Sequence, residues 1–392
     1  MTRRNVIQIV RKAKALHWQV ILGGPEPAAY IDEYLSAGAD AVVIGEGEQT
    51  LEEILSSRRQ LEHLDFSKIP GLAFRDSAGI ICRTSTRALI QNLNALPWPD
   101  RDAIKMEKYV ETWRTHHGKG SVSLITARGC AYHCRWCSHS VYGKTHRRRS
   151  PEAVVDEIEW LRHRYQPDRL WMADDVFTIH YSWLFKYAEE MKHRRLALPF
   201  ECITRADRLN ERVADALAEL QCFRVWIGSE SGSQRILDAM ERGVSIDQVH
   251  TAVRLCRERG IQTGMFLMWG YAGEDLADIE ATVEHVKRSA PDAFLTTLTY
   301  PIKGTDYYRD IEPSVVSPAN WENGSDRDFQ IRGRHSRRYY QFADQLLKSE
   351  VALDRLQRSV TSSMQSHEIA LLQQSIGEAR TGLQFSSAEV EI

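Results

Sequence analysis

Residues 126–140 read TARGCAYHCRWCSHS. Within them Cys130, Cys134 and Cys137 stand at C-x3-C-x2-C spacing, with His133, His139 and Trp136 interleaved. Thiolates are soft donors, and three so close together point to a metal centre rather than to packing. Three protein ligands leave one coordination position over. Zinc would complete a Cys3His set with His133 or His139 and form a closed structural site. A [4Fe–4S] cluster on three thiolates would keep one iron open for a substrate or cofactor. Spacing alone leaves both chemistries open. The other cysteines, Cys82, Cys202, Cys222 and Cys256, are scattered and read as buried small hydrophobes.

A second set of candidates sits at the ends of predicted strands. These are Asp174 and Asp175 in MADDVFT, Arg205 in ITRADRL, and the turn Gly228 to Ser233 in WIGSESGS. Carboxylates suit an ammonium group, and a guanidinium suits a carboxylate. A glycine/serine turn lets a nucleoside approach the backbone. Each has a plainer reading beside it: helix capping for the aspartates, a helix start for Glu230 and Ser231, and an ion pair with Asp207 for Arg205. The basic run HRRRS, His146 to Ser150, reads as a solvated face.

The elements that must position these groups follow a β/α rhythm. SVSLITA, RLWMADD, FECITRADRL, FRVWIGSE, QTGMFLMWG and AFLTTLTYP are apolar strand candidates. Helical patterns separate them at 151–164, 181–194, 211–220, 233–242, 246–259 and 275–288. Ser150 can cap the first of these helices and Pro151 fits its first position; Gly243 and Gly260 mark later helix ends. Six such units predict parallel strands wrapped by helices, a partial (β/α)6 TIM-like barrel. Loops after strand C-termini carry the chemistry of such folds, so the cysteines and the strand-end groups are expected at one mouth.

Upstream, residues 5–16 read as an amphipathic helix, WQVILGG and ADAVVIGEGE as buried strands, and AAYIDEYLSAG and TLEEILSS as helices. This is a doubly wound, Rossmann-like pattern with two strands where about five are usual. GLAFRDSAGIICR reads as a hairpin and ALPWPDRD as a linker. The expected domains are a truncated Rossmann segment (1–60), a linker with hairpin (61–119), the barrel (120–310) and a mostly helical C-terminal region (311–392). In that last region 335–360 is a helix candidate, and the final stretch is expected to be loose.

Lys plus Arg is 51 and Asp plus Glu is 53, a balance that calls for neither nucleic acid nor an anionic membrane. The N-terminus carries no apolar h-region, and no apolar run approaches a membrane span, so a reducing cytoplasm is the expected location.

With these residues together, the chain resembles the radical S-adenosylmethionine enzymes over about residues 120–310. The resemblance implies that Cys130, Cys134 and Cys137 hold a [4Fe–4S] cluster whose open iron chelates S-adenosylmethionine. Reductive cleavage then yields a 5′-deoxyadenosyl radical that abstracts hydrogen. Trp136 matches the aromatic residue that packs on the adenine. Asp174 and Asp175 stand where the family has a Gly-Gly-Glu turn for the methionine ammonium, a departure in letters but not in chemistry. Gly228, Glu230 and Ser231 match its Gly-x-Glu-Ser turn, and Arg205 is carried as a cofactor contact. Lys303 stands where many members have proline.

VILGGPEPAAYIDEYLSAGADAVVIGEGEQTLEEIL is similar to the last part of the cobalamin-binding domain that precedes the barrel in one subgroup. Its Gly-Gly pair would line the nucleotide-tail pocket. The Asp-x-His-x-x-G stretch that supplies a lower cobalt ligand in some relatives does not occur in this chain. Cobalamin is therefore a third cofactor of the subgroup, and two strands instead of five argue against tight binding here. The resemblance implies C-methylation or related tailoring of a small molecule, with flavodoxin or ferredoxin as electron donor. Two alternatives stand beside it: a cobalamin-independent oxidation, cyclisation or rearrangement, and a non-catalytic iron–sulfur or zinc-binding remnant.

Overall fold

The computed structural model describes residues 2–60, 65–139, 141–358 and 365–392. The chain forms two compact units, each built from three segments. The first comprises Met1–Gln91, Gly129–His146 and Tyr300–Ile331; the second comprises Asn92–Arg128, Arg147–Thr299 and Arg332–Ile392.

In the first unit, strands β1 (Ile21–Leu22), β2 (Ala41–Val43), β3 (Leu72–Arg75) and β4 (Ile81–Arg83) form one sheet in that order. β1 and β2 are parallel, with Ile21 opposite Ala41, while β2–β3 and β3–β4 are antiparallel. The hairpin expected within the linker is therefore part of the sheet. Its turn is closed by Asp76, whose Oδ1 accepts from the amides of Ala78 and Ile80, both at 2.9 Å. Helix Arg3–Ala15 buries Ile7 and Val10, with Ile7 in the apolar cluster of Tyr30, Tyr34, Val42 and Phe329. Arg3, 2% exposed, donates to Glu26 and Asp326 and lies 4.2 Å from the Trp321 ring centroid. A buried guanidinium needs this pairing to offset its desolvation.

In the second unit, β5 (Ser121–Leu124) continues through the short β6 (Ala127–Arg128), which pairs antiparallel with β7 (Arg147–Arg148). Then follow β8 (Arg169–Met172), β9 (Phe200–Thr204), β10 (Cys222–Glu230), β11 (Gln262–Trp269) and β12 (Ala293–Leu298). The main sheet runs β5-β8-β9-β10-β11-β12, parallel throughout and in chain order. These are the six predicted strands. The predicted caps also hold: the Ser150 side chain accepts from the Ala153 amide at 3.2 Å, with Pro151 opening helix Pro151–Tyr165. One continuous apolar cluster fills this unit, from Val122 and Leu124 through Val225, Ile227, Met265 and Leu267 to Leu346, Leu347 and Leu383. Back in the first unit, β13 (Val315–Val316) and β14 (Gln330–Ile331) make a small antiparallel pair.

At the C-terminus, helices Arg337–Arg358 and Gln365–Ser386 pack side by side, with Gln345 Nε2 donating to Ser375 Oγ at 3.0 Å. The final stretch, expected loose, is thus helical. Its packing surface is Ala379 and Leu383, both 2% exposed or less, which sequence periodicity shows poorly. Among the described residues, no helix is long and apolar enough to cross a membrane.

Candidate active site

The cysteine segment 129–146 belongs to the first unit. Gly129 opens it at φ +81°, and a Cβ there would lie 2.2 Å from the Thr145 carbonyl oxygen, so only glycine passes. Inside the loop the Cys137 amide donates to the Cys134 carbonyl at 3.1 Å, and the Gly143 amide to the His139 carbonyl at 2.9 Å. The predicted turn after the sixth strand supplies the loop's support. Thr305 caps helix Asp306–Ile311, whose Tyr307 amide donates to the Arg135 carbonyl at 2.9 Å. Arg135 Nε reaches Asp310 at 3.0 Å and Lys144 reaches Asp306 at 3.0 Å. These supporting acids went unnoticed in the sequence, where only the Lys303 position was compared.

Cys134 is buried, Cys130 half-buried and Cys137 exposed. Among the described residues, no three His, Cys, Asp or Glu side chains converge as a metal-ligand set. The donors nonetheless fit an iron–sulfur cluster by chemistry: three thiols within eight residues, on a loop pinned at Gly129 and along its outer arm. Metal ligands often converge only on binding. Trp136 is half-buried on the same loop.

β1 and β2 of the first unit end at a cleft of about 210 Å³ lined by Gly23, Gly24, Gly45, Glu46, Gly47 and Tyr142, among others. Four glycines at the C-terminal ends of two parallel strands leave room for a nucleotide-like group, and in this respect the cleft fits the tail of a cobalamin.

The second unit holds the strand-end candidates. Asp174 is 1% exposed and fully engaged. Its Oδ1 accepts from the Thr126 and Ala127 amides at 2.6 and 3.0 Å, and its Oδ2 from Thr126 Oγ1 at 2.5 Å and Arg148 Nη2 at 2.8 Å. It ties β6 and β7, the two strands from which the cysteine segment departs. Burial holds the Arg148 guanidinium below its ordinary pKa while Asp174 draws it back up. The Arg148 guanidinium also lies 3.6 Å from the Trp183 ring centroid. Asp175, the next residue, is exposed.

The basic run is not a solvated face. Arg147 is 8% exposed, Arg148 pairs with Asp174, and Arg149 pairs with the buried Glu157, which also takes Arg101 at 2.6 Å. Arg205 makes the contacts weighed as its plainer reading. Its Nε donates to Asp207 at 2.8 Å and its Nη2 to the Arg242 carbonyl at 2.8 Å, the ion-pair alternative.

The turn after β10 is strained. The β10–β11 register shifts between Gly228 and Glu230, and Glu230 sits at φ +62°. That left-handed conformation is uncommon for a side-chain-bearing residue and clusters at functional sites. The Glu230 side chain folds back over Gly228, where a Cβ would lie 2.6 Å from both Glu230 Oε1 and Arg242 Nη2. Arg242 Nη2 donates to the Gly228 carbonyl at 2.8 Å, and its Nε lies 3.7 Å from Glu230 Oε1. Burial pushes the Glu230 carboxyl up, and Arg242 and Arg205 oppose it. Ser231, 0% exposed, is engaged by the Ser233 amide and by Thr282. Sequence reasoning missed Arg242, Arg148 and Thr126.

A profile of the radical SAM superfamily matches residues 124–286. An uncharacterized methyltransferase of Pyrococcus horikoshii is 30% identical over 325 residues, covering 81% of this chain and 68% of its own. The anaerobic magnesium-protoporphyrin IX monomethyl ester cyclase of Rubrivivax gelatinosus is 26% identical over 279 residues, covering 70% of this chain and 50% of its own. The structure of the cobalamin-dependent S-adenosylmethionine radical enzyme OxsB, with aqua-cobalamin and S-adenosylmethionine bound, aligns with a TM-score of 0.70 at 14% identity. It covers 97% of this chain and 61% of that one, a likeness of fold. The chain thus spans half of the cyclase and about three fifths of OxsB.

Proposed function

Because this chain belongs to the radical S-adenosylmethionine superfamily, among relatives of the cobalamin-associated subgroup, we propose that it is an enzyme that cleaves S-adenosylmethionine reductively with a [4Fe–4S] cluster and directs the 5′-deoxyadenosyl radical to C-methylation or related tailoring of a small molecule. The observation that carries this reading is the C-x3-C-x2-C segment emerging through the β6–β7 neck after the first of six parallel strands. We read those strands as an open (β/α)6 barrel, and the four-stranded sheet as the Rossmann-like cobalamin segment.

In this reading Cys130, Cys134 and Cys137 ligate the cluster. Trp136 offers its ring to the adenine and Asp175 its carboxylate to the methionine ammonium. Glu230, held over Gly228, addresses the ribose or the methionine end. Asp174, Arg205 and Ser231 keep these groups in place through the bonds described above. An external one-electron donor of the flavodoxin or ferredoxin kind reduces the protein. The glycine-lined cleft of the first unit takes the nucleotide tail of cobalamin.

A second reading, a cobalamin-independent oxidation or cyclisation by the same machinery, takes only its reaction type, ring closure, from the cyclase relative. The test is anaerobic reconstitution followed by dithionite and S-adenosylmethionine, with 5′-deoxyadenosine quantified. The native chain should form it and Cys134→Ala should not; equal yields from both would sink the proposal. Cobalamin that co-purifies stoichiometrically supports methylation, and its absence after loading supports the second reading.

A further inference from the structure

The turn that carries Glu230 is gripped from behind by a single helix. Helix Leu276–Ser289 presents Asp278, Thr282 and His285 at i, i+4 and i+7, one stripe of a 3.6-residue period. An amphipathic helix normally turns such a stripe of polar residues to water. Here all three are buried, at 5%, 0% and 3% exposure.

The stripe matches the turn almost residue for residue, running antiparallel to it. Ser233 Oγ donates to Asp278 Oδ1 at 2.6 Å. The Gly232 amide donates to Thr282 Oγ1 at 2.9 Å, and Ser231 Oγ lies 3.3 Å from the same hydroxyl. Ser229 Oγ lies 2.8 Å from His285 Nε2. One layer further back, His285 Nδ1 lies 3.0 Å from His250 Nε2 on helix Ile246–Glu258, with the two rings stacked at 4.9 Å. Burial pushes His285 down to about 3, with His250 and Arg288 adding to the effect, so the ring is neutral at physiological pH and donates through one nitrogen while accepting through the other.

Glu230 is the residue of this turn in the left-handed region. Its neighbours Ser229 and Ser231 are both fastened to the stripe. A strained residue persists only where its surroundings over-determine it, and these bonds supply that constraint. An apolar stripe would bury the same helix face without fixing the rotation of the turn. Hydrogen bonds fix it because each has one productive direction.

We propose that Asp278, Thr282 and His285 are positioning residues that set Glu230 for its contact with S-adenosylmethionine. The proposal rests on the reading of Glu230 as a contact to that molecule. The test uses the reconstituted, dithionite-reduced full chain and titrates S-adenosylmethionine against the change in the cluster EPR spectrum. In Thr282→Val and in Ser229→Ala, the half-saturating concentration should rise about tenfold, the scale of one directed hydrogen bond. Iron content and the spectrum without S-adenosylmethionine should stay native, which a general loss of structure would not allow. Thr282→Ser, which keeps the hydroxyl, should restore the native value. If Thr282→Val does not fold, Ser229→Ala decides alone. Native half-saturation in the folded variants overturns the proposal. A native chain whose spectrum ignores S-adenosylmethionine overturns the reading of the site, and the proposal with it.

Discussion

Replacing Asp174 by alanine separates its two conceivable roles. As a cofactor contact it would be dispensable to the fold; as the tie between β6 and β7 it is not. Its carboxylate is 1% exposed and Arg148 is 5% exposed, a buried pair with four donors on one acceptor group. Removing one partner leaves Arg148 without its counter-charge and the Thr126 and Ala127 amides without their acceptor. Breaking a buried pair in this way costs about 3–5 kcal/mol. At roughly 2–4 °C per kcal/mol for a unit of this size, the thermal midpoint should fall by about 6–20 °C. Differential scanning fluorimetry of the metal-free chain reads this without interference from the cluster. Asp174→Asn, which keeps one acceptor, should fall between native and alanine. Asp175→Ala, at an exposed position, should leave the midpoint within about 2 °C, while weakening the response to S-adenosylmethionine. A native midpoint in Asp174→Ala together with a lost response would refute this assignment and return Asp174 to the cofactor.

Glu274, 7% exposed and accepting from the Gly270 amide, is pushed up to about 8 by burial. The folded protein keeps this proton past neutrality while the unfolded chain releases it near 4.5, so the stability it contributes is present below 4.5 and lost as pH rises toward 8. Urea unfolding of Glu274→Gln should therefore show a gain of about a few kcal/mol at pH 8 and almost none at pH 4.5; an equal effect at both would contradict the burial argument. Gly228→Ala forces a Cβ to within 2.6 Å of Arg242 and Glu230 and should cost about 1–3 kcal/mol by overpacking, with S-adenosylmethionine affinity falling in the same variant. In Cys134→Ala the brown cluster colour should vanish; in Cys222→Ala, at a cysteine buried in the apolar cluster of the second unit, colour and iron should match the native chain.

Much of this arrangement was legible where local signals and packing agree. The six strands are apolar runs bounded by caps and glycines, and Ser150, Pro151 and Gly260 punctuate the helices where their chemistry predicts, while the helix expected to run to Gly243 ends at Ala239, with Glu241 in the left-handed region past its end. The cysteine spacing was legible because all three cysteines lie on one loop. What stayed hidden depends on partners distant in sequence. Asp174 and Asp175 are adjacent acids, yet one is buried against the Thr126 backbone and the other is exposed. The hairpin at 72–83 showed its own strands but not the sheet it joins. The stripe Asp278, Thr282 and His285 did leave a signal, since polar residues recur at i, i+4 and i+7 beside the apolar Ile279, Val283 and Val286. Read alone, such a stripe looks like the wet face of a helix. Arg205 likewise showed nothing in the sequence of the Arg242 carbonyl that takes its Nη2 beside the Asp207 ion pair.

The central claim is that three cysteines hold a cluster with one iron left open to S-adenosylmethionine. Anaerobic iron and sulfide analysis combined with EPR of the dithionite-reduced protein, recorded with and without S-adenosylmethionine, tests it most directly. The account predicts about four irons and four sulfides per chain and an axial signal that changes shape when S-adenosylmethionine is added. Zinc in place of iron, about one per chain, would contradict it and make the loop a closed structural site.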